Sequence, residues 1–93
     1  MFLERMTTAQ AEAALKRDPI AVLPLGSTEQ HGPQCALGTD FLVPRNLAER
    51  VEAMEGMENV VVLPTIPFGV CDYHMSFSGT INIGYEGLYM LLS

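Results

Sequence analysis

Glu29, His31 and Asp40 are the residues of this chain whose types and spacing are best suited to chemistry. They lie in the run Gly26-Ser27-Thr28-Glu29-Gln30-His31-Gly32-Pro33-Gln34-Cys35-Ala36-Leu37-Gly38-Thr39-Asp40, directly after the apolar stretch Ile20 to Leu25. On an extended backbone, side chains two residues apart share a face, so Glu29 and His31 can converge while Gln30 points away. Gly32-Pro33 and Gly38 can fold the chain back and bring Asp40 within reach. Its carboxylate has two oxygens and is able to bridge two ions. Carboxylates with an imidazole suit Zn, Mn or Fe better than Ca or Mg, and the absence of paired thiols argues against a structural zinc knuckle. The competing reading of a Glu-x-His pair in a loop is solvated surface or a helix cap.

The elements that must hold such a site read as α/β. Thr7 with Gln10 three positions on is a capping box, and Ala11, Ala14 and Leu15 recur at helical spacing, so a short helix is expected up to Asp18-Pro19. Ile20 to Leu25 is a continuous apolar run, as in a strand buried on both faces of a parallel sheet. Phe41 to Glu55 is expected to be a helix capped by Thr39 or Asp40, with Pro44 in its first turn and Leu47, Val51 and Met54 on one apolar stripe. Gly56 is its expected stop. Asn59 to Pro64 is a second buried strand, which makes residues 20 to 63 a strand, helix, strand crossover. In open sheets of this kind ligands bind beyond the carboxyl ends of the strands, where Glu29, His31 and Asp40 fall. Residues 64 to 78 read as an irregular loop with room for a short strand. Thr80 to Ile83 alternates like a half-exposed strand, and Gly84 to Ser93 starts an amphipathic helix whose Leu88, Leu91 and Leu92 need a partner surface.

Composition narrows the function classes. With 93 residues the chain is one domain at most, and 48% hydrophobic with 17% charged residues describes a folded rather than a disordered sequence. Five basic against eleven acidic residues, a net charge of −6 and no basic cluster exclude a phosphate-tracking surface, so nucleic acid is not an expected partner. No apolar run approaches the roughly 20 residues that span a bilayer, and Met1 to Arg5 does not open a secretory signal. No membrane association is expected, and a cytoplasmic location is. Cys35 and Cys71 are expected to be reduced, buried and inert, and the six methionines are core filler.

The wording of two segments adds to this reading. Leu23-Pro24-Leu25-Gly26-Ser27-Thr28-Glu29-Gln30-His31-Gly32-Pro33 with Leu37-Gly38-Thr39-Asp40 closely resembles the creatininase (creatinine amidohydrolase) family. Leu63-Pro64 through Phe68-Gly69, then His74 with Phe77-Ser78-Gly79-Thr80, resembles that family's second motif. The resemblance implies a mostly parallel central sheet flanked by helices and a metal-dependent amidohydrolase with two divalent ions, Zn, Mn or Fe. Glu29 would bind one ion, His31 the other, and Asp40 would bridge them. Such a pair activates water and polarises a carbonyl, which suits hydrolysis of a C–N bond in a small cyclic amide, a formamide or a short peptide. His74, Gly79 and Thr80 are then candidates to support the ligands or touch substrate. For His74 the plainer reading is a packed, hydrogen-bonded loop histidine; for Gly79-Thr80 it is ordinary turn chemistry.

The chain departs from the family pattern at Gln34-Cys35-Ala36, where His-Leu-Pro is more usual, at Ser78, where proline is common, and at Tyr73, where an acidic residue is common. These bear on substrate preference more than on metal binding. The resemblance also implies further ligands, a His and a Glu close together plus another Glu, from sequence beyond residue 93. Residues 1–93 are therefore expected to be the N-terminal portion of one creatininase-like α/β domain, incomplete by itself. Further sequence or a second chain would complete the site, and homo-oligomers are expected. The alternative from another class is a non-catalytic, truncated or partner-binding module that keeps part of the metal site.

Overall fold

The computed structural model describes residues 1–93. It is α/β, with three helices and a short parallel sheet. Helix α1 spans Thr8–Leu15, strand β1 Ile20–Val22, helix α2 Thr39–Glu52, strand β2 Val60–Val62 and helix α3 Gly84–Leu92. Single 3-10 turns lie at Leu3–Arg5 and Asp72–His74. The capping box that starts α1 forms as expected: the Gln10 amide donates to Thr7 Oγ1 at 3.3 Å, and the Thr7 amide donates to Gln10 Oε1 at 2.9 Å.

β1 and β2 pair in parallel with Ile20 opposite Val60, Ala21 opposite Val61 and Val22 opposite Val62. α2 is the connection between them, so the strand, helix, strand unit holds. The pairing continues beyond the strands, because Ile66 N–H donates to the Pro24 carbonyl and Gly26 N–H to the Ile66 carbonyl, each at 3.0 Å. On the other side of β2, Phe2 makes a parallel bridge with Val62. The N-terminal ammonium donates to the Val60 carbonyl at 3.0 Å and to Glu52 at 3.2 Å. β2 is therefore the central strand, and all three of its residues are buried.

The core is small. Val60 and Val62, on one face of β2 by strand alternation, meet Ala48 of α2, with Phe2, Val22 and Met57 packed around them. A small residue at position 48 lets the helix approach the sheet closely.

Five expectations are corrected. β1 is not buried on both faces: it is the outer strand, and Ile20 is 68% exposed. The α2 stripe of Leu47, Val51 and Met54 is also exposed, because Ala48 rather than the stripe meets the sheet, whereas the exposure of Leu91 and Leu92 on α3 agrees with their expected lack of a partner within these residues. The α2 cap is not Thr39 or Asp40 but Gly38, with no side-chain capping bond. Thr39 Oγ1 donates instead to the Ala36 carbonyl at 2.6 Å. The helix ends at Glu52, short of Gly56, which takes φ +90° in the following turn. Thr80 to Ile83 is not a continuous strand but two isolated bridges, Ile81 antiparallel to Thr28 and Asn82 parallel to Gly69.

Candidate metal centre

The loop after β1 is built onto two other segments. Ile81 N–H donates to the Thr28 carbonyl at 2.9 Å, Thr28 Oγ1 donates to the Pro67 carbonyl at 2.7 Å, and Gln30 N–H donates to Thr80 Oγ1 at 3.2 Å. Glu29 N–H reaches the Leu37 carbonyl at 3.0 Å, which closes the turn through Gly32-Pro33 and delivers Asp40 at the start of α2. Gly32 has φ +75°, a conformation that costs glycine little.

The three sequence-selected residues come together. One ligand atom each from Glu29, His31 and Asp40 can be chosen so that all lie within 4.8 Å of one another, and all three residues are half-buried. His31 Nε2 is 3.0 Å from Asp40 Oδ1, while His31 Nδ1 is 3.1 Å from the Glu29 backbone carbonyl. That carbonyl is an acceptor only, so Nδ1 carries a hydrogen and donates it. In the uncharged ring Nε2 therefore presents a lone pair to a carboxylate oxygen. Two acceptors at this separation call for a positive species between them, either a proton or a metal ion. The donor set of two carboxylates and an imidazole, with the ring fixed by a backbone carbonyl, fits a divalent transition metal. The same surroundings make the proton more firmly held than on an ordinary histidine: the Glu29 carbonyl contributes most to raising His31 above its ordinary value of 6.5, with Asp40 and the Glu29 charge adding to it against desolvation.

His74 sits beside this trio and not within it. Its Nε2 is 4.0 Å from Glu29 Oε2, and its Nδ1 is 3.1 Å from Gln30 Nε2. Gln30 is a residue that sequence reasoning missed. The alternation of an extended strand turns it away from the site, but the chain turns at Gly32 and the Gln30 side chain instead reaches His74, 44 positions along the chain. Thr80 supports the Gln30 backbone through its hydroxyl, while Gly79, at φ +88°, packs against Leu37.

The cysteines divide. Cys35 is exposed, against the expectation of burial, and Cys71 is 2% exposed. Cys71 Sγ lies 2.8 Å from Ser27 Oγ and 3.4 Å from the Ile81 carbonyl, and its amide donates to Asn82 Oδ1 at 3.0 Å. Burial pushes the Cys71 thiol up from its ordinary 9.0; Ser27 opposes this, and the negative charges of Glu29 and Asp40 add to it. Iodoacetamide at pH 8.5 is accordingly expected to add one group to the native chain, at Cys35, and two in urea; mass spectrometry showing native Cys71 modified as fast as Cys35 would refute this. Because the folded value is the higher one, the thiol's contribution to stability is complete below pH 9.0 and is lost as pH rises through the folded value.

Comparison with known proteins accords with the two motifs. The creatininase family model, described as creatinine amidohydrolase, matches residues 4–93. The mycofactocin precursor peptide peptidase of Mycobacterium tuberculosis is 42% identical over 81 residues, covering 80% of this chain and 32% of that protein. The 3-dehydro-scyllo-inosose hydrolase of Thermotoga maritima is 31% identical over 87 residues, covering 92% of this chain and 27% of that one. Among solved structures, a mutant creatininase complexed with creatine superposes with a TM-score of 0.85 at 25% identity, over 98% of this chain and 36% of that chain. The structure named Creatininase Mn gives 0.76 at 27% identity, over 89% of this chain and 34% of that one. The chain thus spans about a third of the length of the curated relatives it matches. No helix in it is long and apolar enough to cross a membrane. From the family match over residues 4–93, the chain belongs to the creatininase family.

Proposed function

We propose that this chain is the N-terminal portion of a single-domain, metal-dependent amidohydrolase that cleaves a C–N bond. The observation that carries the reading is the pairing of His31 Nε2 with Asp40 Oδ1 at 3.0 Å, with Glu29 alongside and the ring tautomer set by a backbone carbonyl. In this reading Glu29 would help hold one divalent ion, His31 a second, and Asp40 would serve both, while further sequence or another chain would contribute the other ligands. Zn and Mn are the favoured ions, since related solved structures are named for them. When bound, the ions would polarise the scissile carbonyl and make water nucleophilic near neutral pH. The chain's own groups have other tasks: Asp40 and His31 supply donors at the carboxyl end of β1, and the Gln30 to Thr80 bond holds the loop against the 80–82 segment.

Among cyclic amides, formamides and short peptides, a short peptide is the favoured substrate, because relatives at up to 42% identity are named peptide peptidases. Exposed apolar side chains on α2 and α3 support a partner surface, whether formed by more of the same chain or by another copy. Titration calorimetry with Zn2+ and Mn2+ tests the metal reading. Glu29→Ala and His31→Ala are each expected to weaken binding at least about tenfold, more than surface substitutions do. Metal affinity unchanged in both variants would overturn the reading.

A further inference from the structure

His31 and His74 both approach carboxylates of the same site, but their hydrogen bonds sort them into opposite tautomers. The deciding group is Gln30. Its side-chain Oε1 accepts from Gly32 N–H at 3.0 Å, which identifies the oxygen end of the amide and leaves the NH2 end at His74. That NH2 group has only hydrogens to offer, so Gln30 Nε2, 3.1 Å from His74 Nδ1, donates to the ring. His74 Nδ1 is therefore an acceptor, and the proton of the uncharged ring sits on Nε2, the nitrogen 4.0 Å from Glu29 Oε2. His31 is the reverse, with its proton on Nδ1 against the Glu29 carbonyl and its lone pair on Nε2. One histidine is set to give an electron pair and the other to give a hydrogen bond.

We propose that His74 is a positioning residue, held by the Gly32, Gln30, His74 chain with its Nε2–H toward the Glu29 carboxylate, so that this N–H orients the carboxylate for a metal ion. The inference rests on the metal reading above. It also accounts for His74 lying beside the Glu29, His31 and Asp40 group rather than within it: Nδ1 is taken by Gln30, and Nε2 bears the proton. The 4.0 Å separation is longer than a direct hydrogen bond, so in this structure the nitrogen stands near Glu29 Oε2 without bonding it, and the proposed contact needs the two groups to close by about 1 Å. The Gln30 backbone is itself pinned to Thr80 Oγ1, which makes the orientation of His74 a property of the loop rather than of a free side chain. Groups that support a ligating residue in this way commonly change metal affinity by roughly 10- to 100-fold.

Two measurements on the full chain test this. Long-range 1H–15N NMR of the metal-free protein at pH 8.5 reads the tautomers directly, with His74 expected to carry its proton on Nε2 and His31 on Nδ1. Gln30→Leu is expected to move His74 toward a mixture. Zn2+ titration should then show roughly tenfold weaker binding for His74→Phe and for Gln30→Leu. The double variant should be no weaker than His74→Phe alone, because the two residues act in one chain. A proton on His74 Nδ1 in the parent protein, full additivity of the two substitutions, or wild-type zinc affinity in both single variants while Asp40→Ala still loses zinc would overturn the positioning role alone. Zinc binding that is absent in the parent protein, or insensitive to Asp40→Ala, would overturn the metal reading and this inference with it.

Discussion

Asp40→Ala is expected to reduce zinc affinity by more than about 100-fold, beyond what loss of a merely supporting group costs. The reason lies in the pairing at 3.0 Å between Asp40 Oδ1 and His31 Nε2. Removing the carboxylate takes away the group paired with the His31 lone pair, and in the proposed reading it would take a donor from both ions at once. Asp40→Asn separates the two contributions, because it keeps the shape and one oxygen but loses the charge. It should fall between the parent and the alanine variant. Neither change should unfold the chain. Asp40 has a side chain 41% exposed, makes no capping bond to α2, and its one side-chain hydrogen bond is to His31. Calorimetry with a thermal melt on the same samples checks both halves. An Asp40→Ala chain that melts normally and binds zinc like the parent would refute the assignment of Asp40.

The same measurement has a pH signature in the metal-free protein. His31 is raised above 6.5, chiefly by the Glu29 carbonyl, so the protonated ring is the favoured folded form in mildly acidic solution. The pairing with Asp40 contributes to stability fully below the unfolded value and ceases to do so as pH rises through the folded one. Zinc competes with that proton, so binding strengthens as pH rises through the same range. NMR titration of His31 in Asp40→Ala should show its midpoint moving down.

The site was legible in the sequence where its parts are local. Glu29, His31 and Asp40 share one continuous loop, and the glycines and proline between them announce the turn that closes it. The capping box at Thr7 and Gln10 was legible for the same reason. What pattern reading missed depends on distant partners. Gln30 reaches His74 across the chain, with the 28 to 30 backbone bonded to residues 80 and 81 and the Gln30 amide oxygen held by Gly32. Cys71 is buried because Ser27 and Asn82 close on it from two other segments. The expected cap at Asp40 failed because that carboxylate faces His31 instead of its own helix N-terminus. Apolar periodicity identified α2 correctly but not its buried face. Leu47 is 56% exposed while Ala48 is buried, because the helix meets β2 through its small residue rather than through the stripe.

Gly26→Ala is expected to be the most damaging small substitution in the chain, at about 3 kcal/mol or more, the upper range for overpacking a close contact. A Cβ at position 26 would lie 2.4 Å from Phe41 Cα and Cβ and 2.5 Å from the Asp40 carbonyl oxygen. These are mostly backbone atoms of the first turn of α2, and no side-chain rotation relieves them. Gly26 cannot retreat either, because its N–H is bonded to the Ile66 carbonyl at 3.0 Å and its own carbonyl lies against Gly69. The start of α2 must therefore move away from the strand pair, and Asp40 moves with it. Gly26→Ala thus links stability to the metal site: the thermal midpoint should fall by roughly 10 °C or more for a domain of this size. Zinc affinity should weaken even at temperatures where the chain stays folded. Gly56→Ala is the control, since its Cβ meets nothing within 4 Å and only its φ of +90° opposes the change. It should cost about 1 kcal/mol and leave zinc binding unaltered. Denaturant unfolding of the two variants beside the parent decides the matter, and a Gly26→Ala midpoint equal to that of Gly56→Ala would show that α2 and the β1 loop are not held as closely as this packing requires.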